Sequence, residues 1–99
     1  MTGPINSILI HEADDVATTL AELDKGDTGR YLKKGQLVEI AVKERIPQYH
    51  KYSVRDIRKM EYVRKYGEII GQATQAIGAG THVHVHNLAS PQRRGGNEI

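Results

Sequence analysis

Cysteine, phenylalanine and tryptophan are all missing from this 99-residue chain. Without cysteine there is no disulfide, no zinc–thiolate site and no thiol nucleophile. Five tyrosines supply all the aromatic surface. Charge of one sign is lacking too: 14 basic residues against 12 acidic ones leave a formal net charge of +2. The charges are interspersed, apart from a basic run in residues 43 to 65, so nucleic acid is not an expected partner. No apolar run approaches the roughly 20 residues that span a membrane. The N-terminus lacks the charged-then-apolar order of a signal peptide. A cytoplasmic protein with no membrane partner is expected. Nucleotide-binding glycine loops are absent as well, with neither G-x-G-x-x-G nor G-x-x-x-x-G-K-[ST] in the chain, and no Ser-His-Asp arrangement is evident.

What is present bounds the fold. Ninety-nine residues, 38% of them hydrophobic, suit one domain with one modest core. Residues 5 to 11 read as a first strand. Asp14 then reads as an N-cap, with Val16, Ala17, Leu20 and Leu23 at helical spacing and Gly26 as a C-cap candidate. Residues 27 to 36, with Gly29 and Gly35, read as a turn-rich connector. Residues 37 to 43 form the clearest strand, with Val38, Ile40 and Val42 on one face. A short strand over His50 to Val54 follows Ile46-Pro47. Beyond Tyr62, Gly67, Gly71, Gly78 and Gly80 punctuate short β-segments such as residues 68 to 70 and 73 to 74. The expected fold is therefore mainly β, compact and irregular, with one short N-terminal helix over a domain of residues 1 to 89. Residues 90 to 99 lack periodicity and read as a flexible C-terminal tail. No internal repeat is visible.

The chemistry is concentrated in Thr81-His82-Val83-His84-Val85-His86-Asn87, which holds three of the five histidines. On a strand these imidazoles would share one face and the valines the other. Neighbouring imidazoles, about 6.5 to 7 Å apart, could converge on one metal, but the outer pair would sit about 13 Å apart. A metal would need two of them and a ligand from elsewhere, such as His11, Asp14, His50 or a partner chain. The plainer reading is a solvated polar face. His50-Lys51 is a second candidate: imidazole can move a proton near neutrality, and lysine can hold an anion or act as a base when desolvated. Lys65-Tyr66-Gly67-Glu68 reads as a tight turn that could present Lys65 to an anion and Tyr66 to a sugar or acid. His11 with Asp14 and Asp15 reads most simply as a strand end and a capped helix start.

Taken in order, Ile46-Pro47, His50-Lys51, Asp56-Ile57, Lys65-Tyr66-Gly67, Ile70-Gly71, Ala73-Thr74, Ile77, Gly80 and His82 to Asn87 resemble the SAF domain of the altronate and galactarate dehydratase family. His11 and Asp14-Asp15-Val16-Ala17 resemble that family's opening H-x-x-D-N-V-A. The chain departs from it at Tyr49 and Met60, where glycine is usual, and at Asp15, where asparagine is common.

The resemblance implies a β-clip fold and β-elimination from a 2-hydroxy sugar acid to a 2-keto acid. It also implies a divalent metal, Fe2+ or Mn2+. In most members the domain is fused to a larger catalytic region. A chain of this length is similar in layout to the small subunit of a two-subunit enzyme, including that of sulfolactate sulfo-lyase. A large dehydratase subunit is thus an expected partner, and the chain alone is expected to be inactive. His50, Lys51 and His86 are the candidate catalytic residues. Lys65, Tyr66, Gly67, His84 and Asn87 are candidates for substrate binding, and His84 and His86 for the metal. The competing expectation is a non-catalytic carbohydrate-binding or subunit-docking module.

Overall fold

The computed structural model describes residues 3–91. Nine strands are described: β1 (Ser7–Ile8), β2 (Val16–Thr19), β3 (Thr28–Lys33), β4 (Gln36–Ala41), β5 (Lys51–Ser53), β6 (Tyr62–Lys65), β7 (Glu68–Ala73), β8 (His82–Val83) and β9 (Leu88–Ala89). They form an antiparallel sheet β1-β2-β5-β8, a hairpin β3-β4 and a second antiparallel sheet β6-β7-β9. The mainly-β expectation is met. Most of the expected tail, residues 92–99, lies outside the described residues.

The expected helix is not there: the described residues contain no helix. The stretch after Asp15 is Val-Ala-Thr-Thr, and β-branched residues favour the pleated strand over the helix. It forms β2, the centre of the first sheet, pairing with β1 and β5. The i, i+3, i+4 spacing of its apolar residues had another cause. Val16 and Ala17 point to opposite sides of β2 and each enters a different core cluster. The expected connector also differs. Residues 28 to 33 pair in full register with 36 to 41, and Lys34-Gly35 closes a two-residue hairpin with φ of 51° and 78°, the left-handed pair such a turn requires. Gly29 sits inside β3 because the Tyr52 phenol lies where its Cβ would be. The expected segment at 68 to 70 continues through Ala73 as one strand, β7, and Thr74 lies beyond its end.

Two buried clusters lie on either side of the central sheet. One joins Val16, Ile57, Val63, Ala73, Ile77 and Val83. The other joins Ala17, Leu23, Tyr31, Val42, Ile46 and Tyr52. The single core of the sequence reading is thus split by β2 and β5.

A backbone repeat is present although the sequence shows none. Leu23 bridges Ile46, and Ile57 bridges Ile77. Three residues after each of these four comes a left-handed residue: Gly26 (96°), Tyr49 (67°), Met60 (75°) and Gly80 (87°). Each occupies the third place of a four-residue turn, closed by backbone bonds from Asp27 to Asp24, His50 to Pro47, Glu61 to Arg58 and Thr81 to Gly78. Glycine meets this demand without strain, while an L-residue pays about 1 kcal/mol or more there. Tyr49→Gly and Met60→Gly should therefore each raise stability by roughly 0.5 to 1 kcal/mol, read as a higher denaturation midpoint. A lowered midpoint would mean that these side chains contribute packing that outweighs the strain.

Candidate functional site: a cationic cleft beside a histidine cluster

β5 begins at Lys51, just after the left-handed turn through Tyr49, and pairs Lys51 with Val83 and Tyr52 with His82 of β8. The β6–β7 hairpin turns at Tyr66-Gly67, both left-handed, and so brings Lys65 alongside. Its tip is clamped by two buried carboxylates. Asp14 accepts hydrogen bonds from the backbone N–H groups of Tyr66 (3.0 Å) and Gly67 (2.8 Å). Asp15 accepts one from the Arg64 N–H (2.8 Å) and pairs with the Arg55 guanidinium at 2.8 Å. Asp14 and Asp15 therefore cap a hairpin, where the sequence reading had them cap a helix. His11 packs over Gly67, where a Cβ would meet its ring at 2.9 Å, and its Nδ1 accepts from the Ala13 N–H.

These elements enclose a cleft of about 100 Å³ lined by Tyr49, His50, Lys51, Lys65, Val83 and His84. Three distant sequence motifs thus converge. Lys51 is half-buried, and its ammonium is held below the usual lysine range by desolvation and then by the nearby Lys65 charge. Lys65 also lies over the Tyr66 ring, 4.9 Å from its centroid. Among the described residues no carboxylate forms an ion pair with Lys51 or Lys65. Two cations thus face a small cleft without a counter-charge, an arrangement that attracts an anion.

The histidine row departs from the expected strand. β8 ends at Val83, and residues 84 to 87 turn. Val85, expected on the strand face opposite the imidazoles, is 83% exposed. The turn is tied by Asn87, which is 1% exposed. Its side-chain oxygen accepts from the His84 N–H (3.0 Å) and its amide donates to the His82 carbonyl (2.9 Å). Both ends of that amide thus bond backbone, and Asn87 is not among the residues that line the cleft. The turn folds the outer imidazoles together: the His82 and His86 ring centroids are 5.4 Å apart, not the about 13 Å of a strand.

His82 is the hub of the cluster. Its ring also meets His84 at 5.5 Å and His50 at 5.1 Å, while His50 meets His84 at 4.7 Å. His50 Nδ1 and His82 Nε2 are hydrogen-bonded at 2.9 Å. His50 and His84 line the cleft, whereas His86, Tyr66 and Gly67 lie outside its lining. The sequence reading assigned no role to His82 or Tyr49. His82 was visible as the first member of the row, and Tyr49 as a position where the resembled family usually has glycine, the residue suited to its left-handed backbone.

Burial, followed by the neighbouring His84, His50 and His86 charges, pushes the His82 imidazole down to about 4. His84 is lowered too, by burial and then by Lys51. Both rings favour the neutral form in the folded protein. The stability that neutral His82 contributes is complete above its unfolded value of 6.5 and is lost as pH falls through about 4. Denaturation midpoints should decline over that interval, and His82→Gln should flatten the decline. An unchanged slope would mean that the ring does not carry the effect.

Among the described residues, no three His, Cys, Asp or Glu side chains are arranged to hold a metal ion. The arrangement explains why. His50 and His82 turn nitrogens toward each other, and His84 and His86 each pack against His82.

The fold and the cleft define a class: a small all-β domain that presents imidazoles and unpaired lysines from several turns to one anion-attracting surface. The chain belongs to the altronate/galactarate dehydratase SAF domain family, whose model matches residues 5–91. It is 38% identical over 84 residues to the (2R)-sulfolactate sulfo-lyase subunit alpha of Chromohalobacter salexigens, covering 81% of this chain and 89% of that protein. It is 40% identical over 80 residues to the altronate dehydratase of Bacillus subtilis and 38% identical over 80 to that of Escherichia coli. Those matches cover 81% of this chain but 15% of each dehydratase.

Proposed function

We propose that this chain is the small component of a hydro-lyase that acts with a large catalytic subunit. Together they convert a 2-hydroxy sugar acid into a 2-keto acid by β-elimination. The observation that carries this reading is the cleft, where His50 stands beside two lysines that have no counter-charge. A substrate carboxylate supplies that charge. It lies against Lys65 and Lys51, which also stabilise the negative charge that grows on the carboxylate side as the α-proton leaves. His50 is the acid/base group. The electron pair of the broken C2–H bond forms the C2–C3 double bond, and the hydroxyl on C3 departs as water after taking a proton. The resulting enol gives up its O–H proton and gains one at C3, which yields the keto acid. His84 walls the cleft and orients the substrate. His86, outside the lining, could act only at the rim or on a partner-bound substrate.

The large subunit is supported by two features. A 100 Å³ cleft is too small to enclose a sugar acid alone. Ile5, Ile8, Ile10 and Leu32 also remain exposed around neighbouring shallow grooves, the surface that a subunit contact covers. A divalent ion, Fe2+ or Mn2+, would draw most of its ligands from that partner, with no more than His84 and His86 from this chain.

A second reading changes the leaving group. The relative matched over 89% of its own length is a sulfo-lyase subunit, and sulfite in place of hydroxide would leave without protonation. Under either reading, Lys65→Gln in the assembled enzyme should raise KM for the acid about tenfold or more, since a charge-assisted bond is worth roughly 1.5 to 3 kcal/mol. An unchanged KM would remove Lys65 from substrate binding.

A further inference from the structure

The hydrogen bond between His50 and His82 has a consequence for the chemistry of His50. One nitrogen of a neutral imidazole donates and the other accepts. Which one carries the proton is set by the bond that the other makes. His50 Nδ1 is 2.9 Å from His82 Nε2, so its Nε2 is the nitrogen left for the cleft that the ring lines.

We propose that His82 is a positioning residue that accepts the Nδ1–H of His50 on its own Nε2, so that His50 presents an unprotonated Nε2 to the substrate. The inference rests on the reading of His50 as the acid/base group.

The surroundings of His82 suit the role. Its backbone is fixed from three sides: paired with Tyr52 across β5–β8, donating its N–H to the Glu44 carboxylate at 3.1 Å, and held at its carbonyl by the Asn87 amide at 2.9 Å. Its ring is braced by His84 and His86 at 5.5 and 5.4 Å. To act as a base His50 must present Nε2 without a proton, so its Nδ1 carries the proton and His82 Nε2, 2.9 Å away, is the acceptor. When His50 takes a proton on Nε2, its Nδ1–H already points at an acceptor, and the imidazolium needs no rearrangement.

The test has two readouts. In the full chain, nitrogen-15 spectra of the histidine rings should show His50 with a protonated Nδ1 and a pyridine-type Nε2. His82→Leu should redistribute that population, and His82→Gln, whose amide oxygen can still accept, should retain most of it. In the assembled enzyme, His82→Leu should lower kcat roughly tenfold to a hundredfold, the range seen when an imidazole loses its orienting partner, with KM little changed. His82→Gln should recover most of the loss. Unchanged His50 tautomers in His82→Leu, or equal loss of kcat in both variants, would overturn the proposal. If His50→Ala leaves turnover intact, the acid/base reading fails by itself, and the spectra still decide whether His82 sets the tautomer.

Discussion

Gly80→Ala should unfold the protein or lower its melting temperature by at least about 8 °C. Gly80 has a φ of 87°, and a Cβ there would run into the carbonyl of Ala41. The obstacle is backbone and cannot rotate away. Gly80 is also pinned on both sides: its N–H donates to the Ser53 carbonyl at 2.8 Å, and its carbonyl accepts from the Lys43 N–H at 3.0 Å. The left-handed strain costs about 1 to 2 kcal/mol, and forced overpacking adds roughly 1 to 3. That sum is a large share of the 5 to 15 kcal/mol that typically holds a domain together, and each kcal/mol moves the midpoint of a domain this size by about 4 to 8 °C. Gly26→Ala and Gly35→Ala are the controls. Both glycines are left-handed but have nothing within 4 Å of the added Cβ, so only the conformational cost of about 1 kcal/mol applies. Thermal melts of the three variants separate strain from collision. A Gly80→Ala protein no less stable than Gly26→Ala would show that the backbones are not packed as described.

The second large effect belongs to His50. His50→Ala in the assembled enzyme should lower kcat by about a hundredfold to ten-thousandfold, the usual contribution of a positioned acid or base. The fold should tolerate the change, because His50 lies at the partly exposed edge of the cleft and outside both buried clusters. Assembly with the large subunit should persist on size-exclusion chromatography. That combination separates catalysis from docking, because a purely docking role predicts lost assembly and no specific effect on turnover within the complexes that still form. Intact assembly with unchanged kcat would exclude His50 as the acid/base group.

Several elements were legible in the sequence. β4 was, because Leu-Val-Glu-Ile-Ala-Val alternates and is bounded by Gly35 and the Ile46-Pro47 stretch. The tight turn at Tyr66-Gly67 was legible from its glycine. The helix was misread because Asp14 and Asp15 are good helix caps in isolation; their true partners, the N–H groups of Arg64, Tyr66 and Gly67, lie some fifty residues away. Strand β3 was missed because Gly29 resembles a turn residue unless the Tyr52 phenol above it is known. For the site, the residue types and their order pointed to His50, Lys51, Lys65 and His84, and the fold brings these four to one cleft. Period-two alternation spread the imidazoles along a strand, whereas the Asn87 side chain turns the chain and gathers them. Asparagine is a turn former, and that signal was available. The left-handed backbone of Tyr49 was not legible from its residue type, since tyrosine gives no local sign of it.

The most direct measurement is reconstitution. This chain would be purified with the large dehydratase-like subunit of the same source, and keto-acid formation followed from altronate, galactarate and sulfolactate with Fe2+ or Mn2+, against each subunit alone. The account predicts turnover of at least one acid only in the mixture, with water or sulfite as the second product naming the leaving group. Stable assembly without keto acid from any of the three, or full activity of the large subunit by itself, would contradict it.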